Sequence, residues 1–125
     1  MTEVKRLGYC VDGVWKQSQT TSYMPITDSN TGAVIAETPM CTEAEVTEAI
    51  ESAHAAFGPW ASMLVTRRTQ VLFKFRALME EHIEEIAVLV STELGKNLDE
   101  ARGEVVKIIE ACEVGVGAPM LMKGE

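Results

Sequence analysis

The sequence predicts an α/β fold in which N-terminal β-hairpins are followed by three or four amphipathic helices. Three observations predict it. An Asp12-Gly13 pair separates two β-prone pieces in "GYCVDGVWK", the strongest short hairpin signal, because a type I′ turn needs positive φ at both central residues. A capping box opens at Thr42. From there to about residue 118, apolar residues recur every three or four positions.

A second pair of extended segments follows the first hairpin, around "YMPIT" and "AVIAETP". The turn residues "DSNTG" lie between them, with Gly32 free to take a left-handed conformation. In "TEAE" the Thr42 hydroxyl can accept the amide of Glu45, whose carboxylate can reach back. Val46, Ala49, Ile50, Ala53 and Phe57 then give one apolar face. Gly58-Pro59 is expected to end this helix, with Trp60 packing just beyond it. A longer helical region opens near Thr66, with Val71, Leu72, Phe75, Leu78, Met79, Ile83, Ile86 and Val90 as its stripe. The stripe drifts near Glu81-His82, where a break or bend is expected.

"ELGKNLDEARGEV" puts a Gly-Lys pair between helical stretches. A phosphate-binding loop would need an earlier glycine and a preceding strand. Gly95 instead sits where a C-cap glycine belongs, and Asn97 with Glu100 three residues on makes a helix start. The pair reads as a corner. The final stripe is Leu98, Ala101, Val105, Ile108, Ile109, Cys112 and Val116. "GVGAPM" begins like a dinucleotide fingerprint but lacks the third glycine and follows a helix, so it reads as a helix end before Pro119.

Composition narrows the function. The 125 residues hold 46% hydrophobic and 24% charged side chains, the balance of a globular domain. Nineteen acids against eleven bases leave a net charge of −8, which disfavours nucleic acid as a partner. No apolar run is long enough to span a bilayer. Cys10, Cys41 and Cys112 have neither metal-site nor disulfide spacing, which points to reduced structural thiols and a cytoplasmic protein. His54 and His82 lack metal-like neighbours and read as boundary residues. Glu100 and Glu104, one turn apart, read as a solvated face, and Gly103 between them leaves room for a close neighbour.

Several stretches carry a family resemblance. "NTGAVIAETP", "CTEAEVTEAIESAHAAFGPW" and above all "RRTQVLFKFRALMEEHIEEIAVLVSTELGKNLDEARGEV" occur in an order that resembles the N-terminal part of aldehyde dehydrogenases. Within that superfamily, "LFKFRALMEEH", "ARGEV" and "APMLMKGE" look most like methylmalonate-semialdehyde dehydrogenase. The resemblance runs from about Tyr9 to Glu125. It implies that residues 1–125 are the N-terminal portion of an NAD-binding domain, with strands and hairpins in 1–41 and helices in 42–118, cut before the nucleotide-binding strands.

The reaction implied for the parent is oxidation of a semialdehyde. A cysteine thiolate attacks the carbonyl, hydride passes to NAD, and the thioester is released to water or coenzyme A. The resemblance places the nucleophile, the general-base glutamate, the oxyanion-hole asparagine and the cofactor loop beyond residue 125. None of the three cysteines matches the nucleophile. The chain alone is therefore expected to be inactive, without a cofactor of its own. Its implied partner is the remainder of the enzyme, or itself through apolar helix faces. The alternative expectation is a free-standing helical interaction module derived from the family.

Two sites are implied inside these residues. A structural monovalent cation would be held by the carbonyls of Ile26 and Thr27 and the carboxylate of Glu104, hard oxygens suited to a hard cation. Lys107 stands where related enzymes often show an arginine for the substrate carboxylate. Lysine keeps the charge and loses the two-pronged geometry. The plainer reading of Lys107 is a surface pair with Glu110. Val106 and Asp28-Ser29 depart from the family pattern, where a glycine and Asn-Pro are usual, and this leaves the substrate open.

Overall fold

The computed structural model describes residues 4–124. Residues 1–3 and 125, the ends of the segment read as one domain portion, lie outside the described residues. The chain divides into two compact units, Met1–Ala61 and Ser62–Glu125.

The first unit holds strands β1 (Lys5–Arg6), β2 (Tyr9–Val11), β3 (Val14–Lys16), β4 (Tyr23–Thr27) and β5 (Val34–Pro39), then helix α1 (Glu43–Ser62). β2 and β3 form the expected hairpin, with Cys10 opposite Trp15 and Val11 opposite Val14. Asp12 at φ 52° and Gly13 at φ 74° give the paired positive angles of a type I′ turn. β4 and β5 are antiparallel, and β1 joins the other side of β5 in parallel, in the order β1-β5-β4. Pro25 fits because β4 is an edge strand, where a missing N–H leaves no central ladder bond unmade.

The "DSNTG" turn closes as read. The Gly32 amide donates to the Asp28 carbonyl at 2.7 Å, the Asp28 carboxylate accepts the Asn30 amide at 2.7 Å, and Gly32 has φ 73°. β1 was not foreseen. Two charged residues carry no periodicity, and their pairing comes from a strand 31 residues away, where Arg6 meets Glu37 at 2.9 Å.

α1 does not stop at Gly58-Pro59. It runs through to Ser62, so Trp60 lies within the helix and is exposed rather than packed beyond its end. The proline sits near the last turn and costs only the bond from position 59, and Gly58 has no Cβ to meet the proline ring. The apolar face of α1 also departs from expectation, since Ile50 is 63% and Phe57 68% exposed.

The second unit is helical: α2 (Val65–Glu81), α3 (Ile83–Leu94), α4 (Leu98–Val116) and the single turn α5 (Ala118–Leu121). The break between α2 and α3 falls at His82, where the stripe drifts. α4 packs against both α2 and α3. The core is Met79, Ala87, Ala101, Val105 and Ile109, with Ile83, Ile86, Val90 and Leu98 against it. "GVGAPM" ends α4 at Val116 and restarts one turn carrying Pro119.

The stripe read along α2 is two sides rather than one. Leu72 and Met79 turn inward, whereas Val71, Phe75 and Leu78 are exposed. Neighbouring residues in a helix lie about 100° apart, so a stripe holding both 71 and 72, and both 78 and 79, is wider than one neighbour can cover. Gly103 has nothing near it, so the room expected there is open.

Candidate functional site

The Gly-Lys corner shows how local chemistry fixes a geometry. Gly95 takes φ 69°, and its amide donates to the Ser91 carbonyl at 2.9 Å, ending α3. The Ser91 hydroxyl donates to the Lys96 carbonyl at 2.7 Å, satisfying an acceptor just past the helix end. The Asn97 side chain accepts the Glu100 amide at 2.9 Å and starts α4. The corner is held by caps on both sides, as its residues suggested.

That geometry delivers Lys96 to Glu104. The ammonium donates to Glu104 Oε1 at 2.6 Å, and Lys107 reaches the same oxygen at 3.4 Å. The Lys96 bond, then the Lys107 bond, hold the Glu104 carboxyl below the usual carboxylate range. Lys107 therefore pairs with Glu104, one turn before it, and not with Glu110. Its long exposed side chain leaves the remaining ammonium hydrogens open to a carboxylate-bearing molecule. Lys96 went unnoticed as a partner because no spacing rule links residues across a corner between two helices.

A second constellation lies in the first unit, around Glu45. Its Oε2 accepts the Ser18 hydroxyl at 2.7 Å and the Thr42 amide at 2.8 Å, and its Oε1 accepts the Gln19 amide at 2.7 Å. The Thr42 hydroxyl accepts the Glu45 amide at 3.4 Å, completing the capping box. The Gln19 amide, the Ser18 hydroxyl and the Thr42 amide together pull the Glu45 carboxyl down to about 2. Glu45 and Ser18 are both buried. Three donors aimed at one point make an anion hole, and the chain fills it with its own carboxylate. It is a clamp. Ser18 and Gln19 carry no local signal for this role, since they act on a residue 26 or 27 positions away.

The other candidates fall as follows. A bulge interrupts the β4–β5 ladder between Ile26 and Thr27, whose carbonyls were expected at a cation. Those two residues belong to the first unit and Glu104 to the second, where its carboxylate serves two lysines. Among the described residues, no group of three or more His, Cys, Asp or Glu side chains is placed to hold a metal ion. Both histidines are exposed rather than at a boundary, and His82 Nδ1 lies 3.0 Å from Glu85. Cys10 is exposed, Cys41 half-buried and Cys112 buried, all free thiols. No helix among the described residues is long and apolar enough to cross a membrane.

The aldehyde dehydrogenase family profile matches residues 15–125. The chain belongs to the aldehyde dehydrogenase family. It is similar to malonate-semialdehyde dehydrogenase of Listeria monocytogenes serotype 4a, with 43% identity over 100% of this chain and 26% of that protein. It is also similar to a proposed methylmalonate-semialdehyde dehydrogenase of Sinorhizobium meliloti, solved with NAD, with 33% identity and a TM-score of 0.92 over 100% of this chain and 26% of that one. Aldehyde dehydrogenase 21 of Physcomitrella patens, solved with succinate, is 29% identical at a TM-score of 0.88, covering 98% of this chain and 25% of that one. The chain thus spans 26% of the length of the curated relatives it matches. Its small sheets followed by helices match the N-terminal part of the aldehyde dehydrogenase fold.

Proposed function

We propose that this chain serves as the front portion of an NAD-dependent aldehyde dehydrogenase that oxidises a short, carboxylate-bearing semialdehyde. The observation that carries the reading is 43% identity along its full length to a malonate-semialdehyde dehydrogenase. The cysteine that forms the thioester and the groups that bind NAD belong, in this reading, to the remainder of the enzyme. In the balanced reaction, aldehyde, NAD and water give carboxylate, NADH and two protons. With coenzyme A as acceptor, the products are acyl-coenzyme A, NADH and one proton.

The part played by this chain is to present Lys107 and to supply helices on which the remainder packs. Lys107 offers a charge-assisted hydrogen bond to the substrate carboxylate, while its ammonium also donates to Glu104 Oε1, one turn before it, at 3.4 Å. The exposed apolar positions of α1 and α2 are the surfaces that the remainder, or a second copy, would cover.

The test is to co-produce the chain with the rest of the Listeria malonate-semialdehyde dehydrogenase and follow NADH formation from malonate semialdehyde. Activity in the mixture and none in either piece supports the proposal. A well-folded, associated mixture that stays silent overturns it.

A further inference from the structure

The corner at Gly95 delivers a side chain as well as a turn. The Lys96 backbone is held on both sides, by the Ser91 hydroxyl on its carbonyl at 2.7 Å and by the Asn97 cap that opens α4. Its side chain crosses from that fixed point to α4, where the ammonium meets Glu104 Oε1 at 2.6 Å. Lys96 is 36% and Glu104 39% exposed, against 69% for Lys107.

The two lysines share one oxygen unequally. A charge-assisted N–H···O bond closes to about 2.7–2.9 Å. Lys96 therefore makes a full bond and Lys107, at 3.4 Å, a loose one. Helix geometry does not impose that gap, because residues three apart on a helix are close enough to pair. Lys96 accounts for it: an oxygen that already holds one ammonium attracts a second less, and the two ammoniums repel each other. Together the three groups carry one positive charge, the sign that a carboxylate requires. Without Lys96 their charges cancel. Glu104 would then draw Lys107 to itself and set a bare negative charge beside any incoming carboxylate, in a stretch of α4 that already holds Glu100 and Glu110.

We propose that Lys96 is a positioning residue for the semialdehyde, engaging Glu104 so that the Lys107 ammonium stays free for the substrate carboxylate. The inference rests on Lys107 being the residue that binds that carboxylate. Lys96 acts through Glu104 and touches no substrate atom. The Gly-Lys corner thereby gains a use beyond its turn: it fixes where the neutralising charge stands.

The experiment uses the reconstituted enzyme with malonate semialdehyde and with propanal, which has no carboxylate. Lys96→Met should raise KM for malonate semialdehyde about threefold and shift the kcat/KM preference toward propanal by the same factor. Lys96→Arg, which keeps the charge, should restore the preference. Glu104→Gln should lower KM for malonate semialdehyde about threefold, and adding Lys96→Met to it should change nothing further, since the group through which Lys96 acts is gone. The proposal is overturned if Lys96→Met affects both aldehydes equally, or if its effect persists beside Glu104→Gln, because either result makes Lys96 a part of the corner alone. A rise in KM with Lys107→Met and none with Lys96→Met overturns this proposal and leaves the role of Lys107 standing, whereas no rise with Lys107→Met removes both. The chain alone gives a second readout, the titration of the Glu104 carboxyl followed by carbon NMR. Lys96→Met should raise it more than Lys107→Met does, and the reverse order would overturn the proposal.

Discussion

Glu45 ties the Ser18-Gln19 segment to the start of α1 with one carboxylate, since its donors come from Ser18, Gln19 and Thr42. Its proton affinity is lowered from 4.5 to about 2, so the folded chain binds fewer protons than the unfolded chain between those values. The stability it contributes is complete above about 4.5 and is lost as pH falls through about 2. Glu45→Gln should lower the urea midpoint at neutral pH and flatten the acid limb, read by tryptophan emission. Parallel pH curves for the two proteins would show that the clamp does not form. Asn97→Ala should cost about 1 kcal/mol by removing the cap on α4, measured by urea unfolding. Lys107→Met, in the reconstituted enzyme, should raise KM for the semialdehyde about tenfold with kcat unchanged, the signature of uniform binding. The two caps were legible because cap and partner are three residues apart. Ser18, Gln19 and Lys96 were not, because their partners come near only through the fold.

The elements repeat that division. Both hairpins and the corner at Gly95 were legible because each rests on neighbouring residues: Asp12-Gly13, Asp28 with Gly32, and Gly95 with Asn97; the break at His82 was legible from the drift of the apolar stripe. Gly58-Pro59 misled because a proline near the end of a helix costs one bond, and the turn beyond it can still close. The apolar stripes located α2 and α4 but did not say which half of a wide stripe would be covered. Two substitutions weigh local geometry against packing. Gly95→Ala forces a side chain into the left-handed region and should destabilise the second unit by about 1 kcal/mol. Val105→Ala, in the centre of the α4 core, should cost about 2 kcal/mol. Thermal unfolding by circular dichroism ranks them, and a larger loss at Gly95 would mean that the corner outweighs the core. Gly115→Ala should be milder than Val105→Ala, because its Cβ meets only the Leu72 Cδ1 methyl at 2.8 Å and that methyl can rotate away.

At the scale of the whole molecule, family membership was legible in the words of the helices, while the extent of uncovered surface was not. Ile50, Phe57, Val71 and Leu78 are all more than half exposed. The chain by itself should therefore associate as its concentration rises, seen by size-exclusion chromatography with light scattering, and addition of the remaining enzyme portion should convert it to one discrete species. A monomer unchanged across concentrations would oppose this. Pro59 carries a consequence for the exchange of hydrogen with solvent. The last turn of α1 follows a position that cannot donate to the helix, and the boundary between the two units falls at Ala61 within that turn. Amides of Trp60, Ala61 and Ser62 should take up deuterium well before those of residues 47–57. A protease given brief access should make its first cut in the same place, leaving two pieces close to the two units.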